Sequence, residues 1–210
     1  MPRPARILFC GAYYHVFNRG VNKGIIFFDD RDKRVFLQLL GNAIDKYQLS
    51  CFGYCLMPNH FHIFLQTDIG NLDKFMQSLQ SRYAQYINLK YGRVGSFFQG
   101  RYQSRIVEKD KYSLTLIRYI HRNPVGFRKS FEKYPWSSYV FYLQREIKPS
   151  WLNTNWILKQ FHPNSGKATQ LFHEFHLMSV PEGSDPSGTF DSWQMKDTRR
   201  PEAVFSLRKE

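Results

Sequence analysis

Two histidines separated by one residue, His60 and His62, carry the strongest chemical signal in this 210-residue sequence. They stand in a run over residues 54–66 whose apolar and aromatic residues predict a β-strand. Because side chains alternate between the two faces of a strand, both imidazoles are expected on one face, with Phe61 and Ile63 on the other. Two neighbouring imidazole nitrogens can bind one divalent metal ion. In a basic protein, a metal-binding pair of this kind favours phosphodiester chemistry.

The same His-x-His spacing also occurs on ordinary strand surfaces, so the pair needs support from elsewhere in the chain. Tyr119 and Asn123 are four residues apart in a segment with helical periodicity, and they therefore share one helix face. A tyrosine hydroxyl can act as a covalent nucleophile, and an amide oxygen suits Mg²⁺ or Mn²⁺ as a ligand. The alternative is that Tyr119 packs in the core and Asn123 caps the helix before Pro124.

The charge balance indicates a polyanionic partner. The chain has 30 Lys and Arg against 17 Asp and Glu, for a net charge of +13 and a pI near 9.7. Such an excess points first to nucleic acid and second to an anionic membrane, with a merely soluble basic surface as the remaining alternative. No apolar stretch predicts a transmembrane helix or a signal peptide, so we expect a cytoplasmic, nucleoid-associated protein. Three cysteines without metal-ligand spacing argue against a disulfide framework or a zinc ribbon.

The hydrophobic periodicity predicts an α+β fold. Strands are expected at residues 13–19, 50–56, 60–66 and 103–107, with helices at residues 31–48 and 71–90 between them. The order β-α-β-β-α-β is that of the ferredoxin-like split βαβ fold, with an antiparallel sheet and two helices on one face. A third helix over residues 110–122 is stopped by Pro124, carries Tyr119 and can lie against the sheet.

Three parts are expected along the chain. Residues 1–142 are expected to form the principal domain, with the catalytic helix. Residues 143–178 contain aromatic and apolar clusters that predict a small helical C-terminal extension. Residues 179–210 are rich in Gly, Pro, Ser and charge, and we expect a flexible tail.

A basic and aromatic cluster is the candidate DNA-binding surface, because arginines bind phosphates and aromatic rings stack on unpaired bases. The candidate contacts are Arg19, Arg82, Arg93, Arg101, Arg105, Phe98 and Tyr102. Weaker candidates are Lys90, Lys109, Lys111, Arg3 and Arg6. The alternative for Phe97 and Phe98 is that they anchor their loop in the core.

The other histidines carry weaker signals. His15 lies in the first predicted strand and could approach the site. His121 is two residues from Tyr119 and therefore faces another side of the helix. His173 and His176 are about one helical turn apart, but no third ligand accompanies them, so we expect them at the surface.

The motifs taken in order resemble the REP-associated tyrosine transposases, members of the single-tyrosine HUH-type transposase family. The matching segments are residues 11–16, 19–20, 56–62, 92–95, 98–102, 118–125 and 135–139. They read GAYYHV, RG, LMPNHFH, GRVG, FQGRY, RYIHRNPV and PWSSY. The matches extend over about residues 3–142, and this ordered set is far more specific than any single motif.

The resemblance implies a role for each candidate residue. His60 and His62 would be the metal ligands of the HUH motif, Tyr119 the nucleophile, and Asn123 a third ligand for Mg²⁺ or Mn²⁺. It further implies a metal-dependent endonuclease and strand transferase that cleaves single-stranded DNA near palindromic hairpins through a 5′-phosphotyrosine intermediate. The protein would act as a monomer or a homodimer, with residues 143–178 as a segment that could approach the site.

Two other function classes compete with this reading. A non-catalytic or domesticated DNA-hairpin-binding protein would keep the fold and the basic surface. The presence of His60, His62, Tyr119 and Asn123 together favours the enzyme. A nucleotide hydrolase of the histidine-triad kind would need a third histidine at position 64, and Phe64 excludes it.

Overall fold

A four-stranded antiparallel sheet is the scaffold of the protein. The computed structural model describes residues 7–127 and 130–178. The strands are β1 (Tyr13–Arg19), β2 (Leu49–Met57), β3 (His60–Thr67) and β4 (Gln103–Ile106). They pair antiparallel in the order β2-β3-β1-β4. With one helix between β1 and β2 and another between β3 and β4, this is the ferredoxin-like α+β fold that the sequence predicts.

Helices α1 (Asp30–Tyr47) and α2 (Leu72–Tyr91) cover one face of the sheet. Apolar residues at helical spacing give each helix one apolar stripe, and that stripe faces the strands. The resulting core includes Val16, Phe36, Phe61, Ile63 and Tyr83. The expected placement of Phe61 and Ile63 in the core is confirmed.

Helix α3 (Lys109–Arg122) covers the opposite face, where it contacts β2 and β3. Its apolar side chains, Leu116, Ile117 and Ile120, are fully buried against that face. The helix gives way to a 3-10 turn over Asn123–Phe127, because a proline at position 124 disfavours further α-helix. The candidate residues Tyr119 and Asn123 therefore lie at the C-terminal end of α3, where the helix faces the sheet.

The C-terminal extension packs into the same core as α3. It follows α4 (Tyr139–Tyr142) and contains α5 (Asn155–Leu158) and α6 (Ser165–Leu177). In α6, the ring of Phe172 stacks on Tyr142 with centroids 4.4 Å apart. Backbone N–H groups of Ser138 and Asn153 donate to carbonyls of β2, at 3.0 and 2.8 Å. These bonds cover the outer edge of β2, which would otherwise expose unpaired backbone groups.

The bounds of the predicted strands and of the first three helices agree with the structure to within one residue. Cys51 and Cys55 are buried in β2 as small core residues. No helix in the described part of the chain is long and apolar enough to cross a membrane. The predicted contacts Arg3 and Arg6 and the predicted tail, residues 179–210, lie outside the described residues. The side chains of Lys109 and Lys111 also lie outside the described part of the structure.

The turn before His60 is held by a close backbone approach at Gly20. The Gly20 N–H donates to the carbonyl oxygen of Asn59 at 3.0 Å. A Cβ at position 20 would lie 2.2 Å from the carbonyl oxygen of Gly24 and 2.9 Å from Cγ2 of Ile26. Because one of these atoms belongs to the backbone, a larger residue would displace the loop.

Replacing Gly20 by alanine is therefore expected to lower the free energy of unfolding by about 1–3 kcal/mol, the usual cost of overpacking. Urea denaturation measures the change. Gly126→Ala is the matched control, because a Cβ there meets nothing within 4 Å. That variant should stay within about 0.5 kcal/mol of the wild type. Equal stability of the two variants would contradict the close approach.

Candidate active site

The two histidines of β3 project from one face of the sheet. The rings of His60 and His62 lie 5.1 Å apart between centroids and are nearly perpendicular, at 84°. His62 is 6% exposed, whereas His60 is half-buried at the start of the strand, directly after the turn at residues 58–59. Their expected common face is confirmed, and it is the face that α3 covers.

Helix α3 brings Tyr119 and Asn123 to these histidines. The ring centroid of Tyr119 lies 5.5 Å from that of His62, with the rings edge to face at 81°. The Oδ1 atom of Asn123 lies 2.8 Å from Nε2 of His60. Tyr119 on α3 and Asn123 directly after it are each 9% exposed. The four residues therefore form one cluster, although β3 and α3 are about 60 residues apart in the chain.

The hydrogen bonds of Asn59 determine which nitrogen of His60 carries the proton. The Asn59 amide nitrogen donates to the Lys23 carbonyl oxygen at 3.1 Å, so Asn59 Oδ1 is the atom that faces His60 Nδ1 at 2.7 Å. His60 Nδ1 must then donate its proton to Asn59. A neutral His60 consequently keeps its lone pair on Nε2, the nitrogen beside Asn123.

This geometry fits a divalent metal ion. Neighbouring ligands of an octahedral ion lie about 3 Å apart when each is about 2.1 Å from the metal. The 2.8 Å between His60 Nε2 and Asn123 Oδ1 is close to that separation, and both atoms present lone pairs. No group of three or more His, Cys, Asp or Glu among the described residues could hold a metal. The Asn123 amide would therefore have to complete the set with His60 and His62.

Burial keeps the site histidines neutral. Burial lowers the pKa of His62 well below its usual value, and the neighbouring rings of His60 and His15 lower it further. Burial also lowers the pKa of His60; the hydrogen bond that a protonated ring would donate to Asn123 opposes this effect, and the charge of Arg19 adds to it. Neutral imidazole is the form that binds a metal, so no proton has to be displaced near pH 7.

His15 completes the cluster from β1. Its Nε2 lies 2.9 Å from Nδ1 of His62, and its ring meets the ring of Tyr119 edge to face at 5.9 Å. It is fully buried. The sequence indicated only that His15 could approach the site, and the structure places it against both His62 and Tyr119.

Two of the predicted DNA-binding arginines lie on the face of the site. Arg19 pairs with His60 across β1 and β3, and Arg105 pairs with His15 across β1 and β4, so their side chains share the face of the histidines. Burial lowers the pKa of Arg105, and the negative form of Tyr119 would raise it. Arg19 is exposed, and its Nε donates to the Gln99 side chain at 2.5 Å.

The other predicted DNA contacts lie away from the four-residue cluster. Arg82 is exposed on α2, Arg93 lies over the ring of Phe97, and Arg101 lines a cleft between α2 and residues 95–102. Phe98 and Tyr102 are only 7% and 5% exposed and belong to the core under that loop. The expectation that their rings offer open stacking surfaces for bases is therefore wrong. The core-anchor alternative holds for Phe97 and Phe98.

A second histidine cluster links α3 to the C-terminal extension. His121 Nδ1 lies 3.1 Å from His176 Nε2, and His121 Nε2 lies 2.8 Å from the Ser138 hydroxyl. His121 faces away from the candidate site, as expected.

His176 is fully buried, so its expected surface position is wrong. His173 is half-buried, with Nδ1 2.5 Å from the Tyr139 hydroxyl. The burial of His176 could not be predicted from the sequence, because it depends on which side of α6 packs against α3.

The comparison with protein families identifies the class of protein. The family described as "Transposase IS200 like" matches residues 9–123, which is more than half of the chain and includes β1 to β4, α3 and all four residues of the cluster. The chain therefore belongs to the IS200-like transposase family. Among proteins with curated descriptions, no match was found.

The comparison with solved structures finds a shared fold. The structure of a REP-associated tyrosine transposase bound to a REP hairpin superposes with a TM-score of 0.60 at 12% identity, covering 73% of this chain and 92% of that chain. A transposase from Deinococcus radiodurans R1 gives a TM-score of 0.41 at 14% identity, covering 56% of this chain and 93% of that one. The first match shows that the fold is shared.

Acid should destabilise the protein through its buried histidines. Burial lowers the pKa of His176 to about 3, against an unfolded value of about 6.5. Between these values the unfolded chain binds more protons, so stability is full above about pH 6.5 and decreases as the pH falls toward 3. We expect His176→Phe to reduce the slope of unfolding free energy against pH by up to about 1.4 kcal/mol per pH unit. Urea titrations at several pH values measure the slope, and an unchanged slope would contradict this origin.

Proposed function

We propose that this protein is a metal-dependent single-stranded DNA endonuclease and strand transferase that acts near DNA hairpins. The observation that carries the proposal is the single cluster formed by His60, His62, Asn123 and the Tyr119 ring. It combines donors for a hard metal ion with a candidate nucleophile, which is what phosphodiester transfer requires. Membership of the IS200-like transposase family supports the same reaction class.

DNA hairpins are the proposed substrates. The protein carries a net charge of +13, which favours a polyanionic ligand. A protein with the same fold has been solved bound to a REP hairpin. Cleavage by a tyrosine needs a strand that can leave the duplex, so unpaired DNA beside a hairpin stem is the expected target.

The proposed metal ion is Mg²⁺ or Mn²⁺, held by His60, His62 and Asn123. When bound, it would polarise the scissile phosphate and offset the charge that develops in the transition state. The protein's part is to hold these donors on a rigid strand and a helix end, beside the ring of Tyr119.

Tyr119 supplies the proposed nucleophile. Its hydroxyl loses a proton as the oxygen attacks phosphorus, and the bond from phosphorus to the 3′ oxygen breaks. The leaving 3′ oxygen takes up a proton and becomes a free hydroxyl, while the other strand end stays linked as a 5′-phosphotyrosine. Because this link is itself a phosphodiester, attack by a 3′-hydroxyl reverses the step without an external energy source. That reversal is strand transfer.

Arg105 and Arg19 are the proposed phosphate contacts nearest the site. Both share the face of the histidines by strand register, Arg19 at the end of β1 and Arg105 on the neighbouring β4. Arginine binds phosphate in a bidentate way and keeps its charge at every relevant pH. Arg82, Arg93 and Arg101 would bind DNA further from the scissile phosphate.

Tyr119→Phe is expected to abolish a covalent protein–DNA adduct. The wild type, incubated with labelled single-stranded hairpin DNA and Mn²⁺, should give an adduct on a denaturing protein gel that disappears with chelator. Tyr112→Phe is the matched control, because Tyr112 lies two turns earlier on the same helix, and it should keep the adduct. An adduct that persists in Tyr119→Phe would overturn the assignment. Hairpin binding without an adduct in any variant would favour a non-catalytic binder.

Replacing Arg105 by glutamine should slow cleavage about 10- to 100-fold, since it removes a charge beside the reacting phosphate. Single-turnover cleavage at saturating DNA and Mn²⁺ measures the rate. Arg34→Gln, an exposed arginine on α1 at the opposite face of the sheet, is the control and should stay within about twofold. Equal rates for the two variants would remove Arg105 from the site.

A further inference from the structure

We propose that His15 is a positioning residue that accepts a hydrogen bond from Nδ1–H of His62. This bond would keep the lone pair of His62 on Nε2, where a metal ion can use it. The inference rests on the proposed function for its purpose, but the hydrogen bond itself can be measured without a metal ion. His15 is outside the residues assigned above to metal binding and nucleophilic attack.

Sheet register brings His15 to His62. Phe17 lies directly opposite His62 in the β1–β3 pair, and His15 is two residues before Phe17 on the same face. The His15 and His62 rings are nearly parallel, at 21°, with centroids 5.1 Å apart. The hydrogen bond between His15 Nε2 and His62 Nδ1 is 2.9 Å long. Both rings are buried, so water does not compete for these nitrogens.

The proton between the two rings has only two possible positions. If His15 Nε2 carried it, His62 would accept at Nδ1 and hold its own proton on Nε2. Neither nitrogen of His62 would then have a lone pair for a metal ion. If His62 Nδ1 carries the proton, His15 accepts and His62 Nε2 is available. Only the second arrangement is compatible with His62 as a ligand.

When both rings are neutral, a single proton lies between them, and its position decides which nitrogen of His62 keeps a lone pair. Burial, and secondarily the charge of Arg105, lowers the pKa of His15 to about 3. The groups that face His15 are His62, Tyr119 and Arg105.

His15 also touches the proposed nucleophile. Its ring meets Tyr119 edge to face at 5.9 Å, and the ring of Phe17 packs 5.0 Å from His15. One buried side chain therefore contacts both a proposed metal ligand and the Tyr119 ring. A residue in that place can hold the distance between ligand and nucleophile constant.

The tautomer of His62 tests the inference directly. The full-length protein, metal-free and labelled with ¹⁵N-histidine, would be studied by long-range ¹H–¹⁵N correlation NMR, with His62 assigned from its absence in His62→Gln. We expect His62 to be protonated on Nδ1 and His15 to accept at Nε2. Protonation of His62 on Nε2 would overturn the proposal.

Substitutions of His15 supply a second test through Mn²⁺ affinity, measured by electron paramagnetic resonance. His15→Phe removes the acceptor and should weaken binding about 10- to 100-fold. His15→Gln retains an acceptor near the Nε2 position and should stay within about threefold. His176→Phe, a buried histidine in the other cluster, is the control for general loosening and should bind as the wild type does. Equal affinity of His15→Phe and the wild type would overturn the positioning role.

These measurements separate the inference from the proposed function. A wild-type protein that binds no Mn²⁺ would count against the proposed metal dependence. The tautomer of His62 is read without metal or DNA, so it decides the role of His15 by itself. Circular dichroism of each variant ensures that affinity is compared between folded proteins.

Discussion

The antiparallel register between β1 and β3 is the constraint on which the candidate site depends. It places Arg19 opposite His60 and Phe17 opposite His62. Because strand side chains alternate with a period of two, a slip of one residue would turn both histidines into the opposite core. Burial of Phe61 and Ile63 beneath α1 and α2 opposes such a slip. Burial of the apolar side chains of β3 thus determines the face on which His60 and His62 lie.

The position of α3 is the second constraint, and the C-terminal extension supports it. A Cβ at Gly53 would lie 2.1 Å from Cδ1 of Ile117, so the helix approaches the sheet more closely than a larger residue would allow. On its outer side, Arg122 donates to the carbonyl oxygen of His176 at 2.5 Å, and His121 bonds the His176 ring. The helix that carries Tyr119 is therefore held between the sheet and α6.

Local patterns predicted much of this arrangement. Alternation along β3 and the four-residue spacing on α3 indicated which side chains share a face, and both predictions are confirmed. The contact between His15 and His62 could not be predicted, because it joins residues 47 apart through a strand register that no local pattern encodes. Aromatic residues in a basic loop look alike whether they stack on bases or fill a core, so the burial of Phe98 and Tyr102 was missed. The burial of His176 was missed because it depends on how α6 docks.

The central claim is that one sheet register and one helix build a metal site facing Tyr119. Anomalous diffraction at the manganese edge, from crystals soaked in Mn²⁺, tests it most directly. The account predicts a single strong peak about 2.0–2.4 Å from nitrogens of His60 and His62 and from Oδ1 of Asn123. Saturating Mn²⁺ with no peak at these atoms, or a peak bound to other residues alone, would contradict it.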